Sequence, residues 1–277
     1  MMDLNAHIDR LIAEELGKHR HTPHCNWCWV CPDCKTELVT QMVDHGACRV
    51  GADPGIAPVK EVAARYIDHT LLKPEATRQQ IEKLCTEAAE FEFASVCVNP
   101  TWVSYCRHLL RGTRVLVCTV VGFPLGATTT EVKVYEAQQC VEQGACEIDM
   151  VINIGRLKSG EYDFVAQDIQ AVVTAAQPAH VKVILENCYL SDEEKIKACL
   201  LAREARAHFV KTSTGFGPSG AKIEDVALMR RVVGGQLGVK AAGGIREYET
   251  ASKMIAAGAS RLGASASIAI LEHRKAA

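Results

Sequence analysis

The sequence predicts an α/β fold: a closed (β/α)8 TIM barrel preceded by a cysteine-rich extension. Three observations point there. From about residue 62 onward, eight short apolar runs of strand character alternate with longer stretches of helical periodicity. The hydrophobic content, 48% of 277 residues, is mostly Ala, Val, Ile and Leu, with 5% aromatic; that suits parallel strands buried on both faces. The first strand runs into Asp68-His69-Thr70-Leu71-Leu72-Lys73-Pro74, without the Gly-x-Gly-x-x-Gly turn that a doubly wound open sheet would place there. Eight units in about two hundred residues is the count of a barrel.

Taken in order, residues 1–61 read as an extension. It holds a short helical stretch, a cysteine cluster at 25–34 and the linker Gly51-Ala52-Asp53-Pro54-Gly55-Ile56-Ala57-Pro58. Residues 62–277 read as the barrel. Its strands are expected at 66–72, 93–98, 114–121, 146–153, 180–186, 209–212, 238–242 and 261–263. Three helices between them are well marked. Residues 77–90 put Ile81, Leu84, Cys85 and Ala88 on one face, and residues 130–143 do so with Val134, Ala137, Gln138 and Val141. Residues 191–205 open with Ser191-Asp192-Glu193-Glu194, a capping box. Gly144 and Gly258 stand where helices should stop.

Composition narrows the function. A net charge of −2 and no basic run imply no nucleic-acid partner and no electrostatic attachment to a membrane. No stretch approaches a transmembrane span, and residues 1–17 lack the basic start and apolar core of a signal peptide. A cytoplasmic protein is expected. Nine of the 13 cysteines are scattered: Cys48, Cys85, Cys97, Cys106, Cys118, Cys140, Cys146, Cys188 and Cys199. They read as small core hydrophobes, reduced in such a compartment.

Two apolar runs each end in a lysine. Lys211 closes the sixth strand before Thr212-Ser213-Thr214-Gly215, and Lys240 lies in the seventh before Ala241-Ala242-Gly243-Gly244. Adjacent strands lie about 4.8 Å apart, so the two amines can depress each other's proton affinity. A neutral lysine attacks carbonyls. One lysine as Schiff-base nucleophile and one as proton shuttle is therefore the functional reading; two solvent-facing or phosphate-binding cations is the other. Asp149 lies in the fourth strand on the face of Glu147, Val151 and Asn153, and a carboxylate there needs a partner. It can form a structural ion pair or relay a proton. Asp68 can line the same mouth or cap the turn that follows it. Glu186 and Asn187 end the fifth strand with no stated direction. Loops after strands seven and eight, Gly243-Gly244-Ile245-Arg246 and Gly263-Ala264-Ser265, hold the positions where barrels of this class bind phosphate.

These residues carry a family resemblance. The motifs Tyr66-Ile67-Asp68-His69-Thr70-Leu71-Leu72-Lys73-Pro74, Val96-Cys97-Val98-Asn99-Pro100, Val121-Gly122-Phe123-Pro124-Leu125-Gly126, Glu147-Ile148-Asp149-Met150-Val151-Ile152-Asn153, Phe209-Val210-Lys211-Thr212-Ser213-Thr214-Gly215, Lys240-Ala241-Ala242-Gly243-Gly244-Ile245-Arg246 and Arg261-Leu262-Gly263-Ala264-Ser265 occur in order over roughly three quarters of the chain. The chain resembles the deoxyribose-phosphate aldolases. The resemblance implies a class I aldolase with no cofactor in its chemistry, cleaving 2-deoxy-D-ribose 5-phosphate reversibly to D-glyceraldehyde 3-phosphate and acetaldehyde. It implies Lys211 as the Schiff-base lysine, Lys240 as the second lysine that keeps the first uncharged, and Asp149 as the acid/base group. It places substrate and phosphate binding on Asp68, Gly215, Gly243, Gly244, Arg246, Gly263 and Ser265. Two departures stand out: Phe216 occupies a position where some members carry a phosphate-binding lysine, and the chain ends Glu272-His273-Arg274-Lys275-Ala276-Ala277 without a terminal tyrosine. The partners expected are a sugar phosphate and further copies of the chain in a homo-oligomer, first a dimer.

Cys25, Cys28, Cys31 and Cys34 stand at steps of three, as metal ligands do. The usual zinc spacing separates two Cys-x-x-Cys pairs by a dozen or more residues, and here the pairs are almost contiguous. The residues allow a structural zinc, with His21, His24 or Cys48 assisting, and equally an extension without metal. Two other functions stay open: a Schiff-base aldolase for a different sugar phosphate, and a barrel that serves a metal-dependent regulatory role.

Overall fold

The computed structural model describes residues 64–272. In it eight strands pair in parallel in sequence order, and the last returns to the first to close a barrel. They are β1 (Ile67–Leu71), β2 (Ser95–Val98), β3 (Leu116–Val121), β4 (Glu147–Val151), β5 (His180–Ile184), β6 (Phe209–Lys211), β7 (Gly238–Ala242) and β8 (Arg261–Ala264). All eight expected runs are strands. The helices among the described residues are α1 (Arg78–Glu90), α2 (Val103–Leu109), α3 (Thr130–Glu142), α4 (Ile154–Lys158), α5 (Tyr162–Ala175), α6 (Asp192–Glu204), α7 (Ile223–Val233), α8 (Tyr248–Ala256) and α9 (Ser267–Glu272).

Strand alternation divides the core in two. Val96, Ile148, Val181, Val210, Val239 and Leu262 are buried on the outer face, where aliphatic side chains meet the helical ring. The inner face departs from the usual layers of branched aliphatics. Asp68, Glu147, Asp149, Lys182, Lys211, Lys240 and Arg261 meet one another there.

Several strands are shorter than expected, each for a local reason. β4 stops before Asn153, whose side chain caps α4 by accepting the Arg156 N–H. β5 stops before Glu186, which takes a left-handed backbone conformation with φ 55°. Helix α1 buries Ile81, Leu84, Cys85 and Ala88, the expected face. The Ser191–Glu194 capping box opens α6 as expected.

Helix α3 corrects the sequence reading. Its buried residues are Lys133, Ala137 and Cys140, whereas Val134 is only half-buried and Gln138 is exposed. The cause is Lys133, fully buried, which donates to Asp168 Oδ2 at 2.6 Å and to the Val151 carbonyl at 3.0 Å. Hydropathy assigns a lysine to solvent, so the expected stripe is rotated away from the ion pair.

No helix among the described residues is long and apolar enough to cross a membrane. Outside the described residues lie the division near residue 62, the linker, His21, His24 and Cys48, the cluster Cys25, Cys28, Cys31 and Cys34, and the last five residues.

Candidate active site

Lys211 ends β6 and is paired in register with Lys240 of β7. Both turn into the barrel and converge on one atom. Asp149 Oδ2 accepts from Lys211 Nζ at 2.7 Å and from Lys240 Nζ at 2.6 Å. Lys240 Nζ also lies 2.5 Å from Asp68 Oδ2. All four side chains are buried.

A further layer of charge supports this group. Lys182, at the centre of β5, donates to Glu147 Oε2 at 2.6 Å and to Asp149 Oδ1 at 3.0 Å, and its Nζ lies 3.3 Å from Cys118 Sγ. Arg261 donates to Asp68 Oδ1 at 2.7 Å and to both Glu147 oxygens at 3.1 Å. The Ser95 hydroxyl donates to Asp68 Oδ1 at 2.7 Å. Four basic side chains thus face three carboxylates in the barrel interior, where burial tolerates charge only beside an opposite charge.

Proton affinities follow. Burial works to raise the pKa of Asp149, but Lys182, Lys211 and Lys240 outweigh it and hold the carboxyl well below its ordinary range. Burial likewise works to raise that of Asp68, and Arg261, Lys240 and Lys182 bring it down. For Lys240, burial favours the neutral amine; Asp149 and Asp68 prevail and hold it above lysine's ordinary value. Lys182 is raised in the same way, chiefly by Asp149. Lys240 is therefore a standing cation beside Lys211, and Asp149 the anion between them.

The carboxyl ends of β6, β7 and β8 form one arc of the rim, since these strands are consecutive neighbours. Gly215 follows β6 and Gly243 and Gly244 follow β7, all with positive φ, at 91°, 92° and 80°. Arg246 and Ser265 are exposed in the loops after β7 and β8. Gly263 has a steric reason: a Cβ there would lie 3.1 Å from Lys240 Cε and 3.0 Å from Ala242 Cβ. Phe216 is exposed and meets Phe123 edge-on, ring centres 5.3 Å apart.

Residues 62–273 match the model of the DeoC/LacD family of aldolases. The chain belongs to the DeoC/LacD aldolase family. A deoxyribose-phosphate aldolase of Caldanaerobacter subterraneus subsp. tengcongensis is 62% identical over 216 residues, which is 76% of this chain and 93% of the relative. One from Clostridium novyi is 62% identical over 212 residues, 76% of this chain and 96% of the relative. Among solved structures, a tetrameric deoxyribose phosphate aldolase from Aeropyrum pernix superposes with a TM-score of 0.74 at 33% identity, covering 85% of this chain and 97% of that one.

On this DeoC/LacD barrel the structure gathers Lys211, Lys240, Asp149 and Asp68 into one cluster and puts Gly215, Gly243, Gly244, Arg246, Gly263 and Ser265 on or beside one arc of the rim. Asp68 turns into the barrel, to Lys240 and Arg261. Sequence reasoning passed over Lys182 and Arg261; Cys118 is a core thiol as expected, packed with Leu72, Cys97 and Val120, and it also meets Lys182 and Asp149. A signal for Lys182 existed: it interrupts the apolar run Val181-Lys182-Val183-Ile184 as Lys211 interrupts its own.

Proposed function

We propose that the protein cleaves 2-deoxy-D-ribose 5-phosphate reversibly to D-glyceraldehyde 3-phosphate and acetaldehyde through a Schiff base on Lys211. The observation that carries this reading is the shared Asp149 oxygen between Lys211 and Lys240. Neutral Lys211 attacks the C1 aldehyde of the open-chain sugar, and loss of water gives a protonated imine. The imine is an electron sink, so the chemistry needs no metal. The C3 hydroxyl gives its proton to the Asp149 relay, the C2–C3 bond breaks, and its electron pair moves into the enamine. D-Glyceraldehyde 3-phosphate leaves. The enamine is then protonated at C2, with Lys240 supplying the proton, and water releases acetaldehyde and regenerates Lys211.

Asp149 changes hydrogen-bond load along this path. It is ionised at rest, and the cations beside it hold its proton affinity low, so it passes a proton on instead of keeping it, provided one of the two lysines stays charged. Lys240, with its second carboxylate partner in Asp68, fits that part. Asp68 and Lys182 act as counter-ions that fix the pair. The rim glycines with Ser265 and Arg246 would take the phosphate, Phe216 adding no charge to it.

We further propose that residues 62–277 are the catalytic unit, that the enzyme is a cytoplasmic homodimer, and that any zinc held by Cys25, Cys28, Cys31 and Cys34 is structural. Metal analysis and light scattering of the whole chain check the last two points. The reaction itself is tested on a panel of sugar phosphates. Deoxyribose 5-phosphate should give the highest kcat/KM, with acetaldehyde and D-glyceraldehyde 3-phosphate in equal amounts; a different preferred sugar would overturn the substrate assignment while leaving the aldolase.

A further inference from the structure

We propose that Glu186 is a positioning residue that shapes the loop after β6 for binding the substrate's phosphoryl group, without touching the reacting carbons. The proposal rests on the phosphorylated substrate assigned above.

Glu186 follows the last residue pair of the β5 strand, and its backbone is left-handed, φ 55° and ψ 65°. That conformation is costly for a residue with a Cβ and persists only where its surroundings enforce it. The ladder continues on either side: the Leu185 N–H donates to the Lys211 carbonyl and the Asn187 N–H to the Thr212 carbonyl, both at 2.9 Å. The twist therefore serves the side chain. It carries the carboxylate under the next strand's loop, where Glu186 is 2% exposed.

There the carboxylate organises a turn. The Thr214 N–H donates to its two oxygens at 3.2 and 3.3 Å, and the Thr214 hydroxyl donates to Oε2. With its proton committed, the Thr214 Oγ accepts the Phe216 N–H at 3.0 Å. Hydrogen bonds thus run from Phe216 through Thr214 to Glu186, bracketing Gly215 with its φ of 91°. Gly217 closes over the same group; a Cβ there would lie 3.2 Å from Glu186 Cδ. The far end of the loop is tied to the β7 loop by the Ala221 N–H donating to the Gly243 carbonyl at 3.0 Å.

A buried carboxylate accepting N–H and O–H donors makes charge-assisted hydrogen bonds, about twice as strong as neutral ones. Its removal leaves the Thr214 donors unpaired and Gly215 free to leave its conformation. Lys211 lies on the strand side of this loop, held by Asp149, so the chemistry is insulated from that loss. Glutamine keeps an acceptor oxygen in the same place, and alanine does not.

The test compares E186A and E186Q with the wild-type chain. KM and kcat are measured on deoxyribose 5-phosphate and on unphosphorylated 2-deoxyribose, with inorganic phosphate as competitive inhibitor. E186A should raise KM for the phosphorylated sugar and the Ki of phosphate by about tenfold or more. Its kcat, and its kcat/KM on 2-deoxyribose, should stay within about threefold, and E186Q should recover most of the loss. Equal losses on both sugars, or unchanged phosphate affinity, would overturn the proposal. Should E186A fail to fold, T214V carries the test, with the same selective rise expected. Calorimetric titration of each protein with inorganic phosphate reads the loop whatever sugar is turned over, so failure of the substrate assignment is told apart from failure of this one.

Discussion

Replacing Asp149 by asparagine probes the centre of the site with almost no change of shape. The carboxylate receives Lys211 at 2.7 Å, Lys240 at 2.6 Å and Lys182 at 3.0 Å, and all are buried. In D149N four cations face two carboxylates. Breaking a buried ion pair from one side costs about 3–5 kcal/mol, and asparagine retains one acceptor oxygen, so a loss of about 3 kcal/mol in urea unfolding at neutral pH is expected. The loss should depend on pH. Asp149 titrates well below its ordinary value of 3.8 in the folded chain, so its contribution is fully present above that value and disappears as pH falls through the folded pKa. The wild-type advantage over D149N should shrink on acidification. In catalysis, loss of the proton relay should lower kcat by about 10²–10⁴-fold. The nucleophile is still present, so acetaldehyde and borohydride should still modify Lys211. A D149N enzyme within tenfold of wild-type kcat, or one that no longer traps acetaldehyde at all, would refute the division of labour between Asp149 and Lys211.

Two other substitutions test parts of the frame. Lys133→Met strands the buried Asp168 carboxylate, which loses a 2.6 Å partner, and should destabilise by about 3–5 kcal/mol; pairing it with Asp168→Leu should restore part of that in chemical denaturation, and a neutral single variant would contradict the ion-pair account of α3. Gly220→Ala would put a Cβ 2.2 Å from the Gly243 carbonyl oxygen, where two rim loops meet; KM for the phosphorylated sugar should rise severalfold while Lys211 still traps acetaldehyde, and unchanged KM would show that the loops do not act together.

What was legible in the sequence was periodic or adjacent. Eight apolar runs give eight strands, and two lysines at equivalent strand positions prove to be register partners. Lys182 interrupts its apolar run, but its role was not legible because its partners, Glu147 and Asp149, lie on the neighbouring strand, and only the β4–β5 pairing sets Lys182 beside Asp149. Arg261 is harder still, bonded to Asp68 from the opposite end of the barrel sequence. Lys133 misled the reading of α3, since hydropathy cannot anticipate a lysine ion-paired inside the core. Glu186 was visible as a strand-end carboxylate, but its direction depends on a left-handed backbone that no local pattern announces. For Lys182, Arg261 and Lys133 the missing information was a pairing between elements, which barrel topology supplies and composition does not.

The proposed covalent intermediate forms on Lys211 and on no other lysine of the cluster. Borohydride reduction in the presence of acetaldehyde converts the imine to an N-ethyl lysine, located by peptide mass analysis. The modification should fall on Lys211 and vanish in K211A, with Lys182 and Lys240 unmodified in both. An N-ethyl group on Lys240 or Lys182 in the wild-type chain, or an undiminished adduct in K211A, would overturn the assignment of Lys211 as the nucleophile.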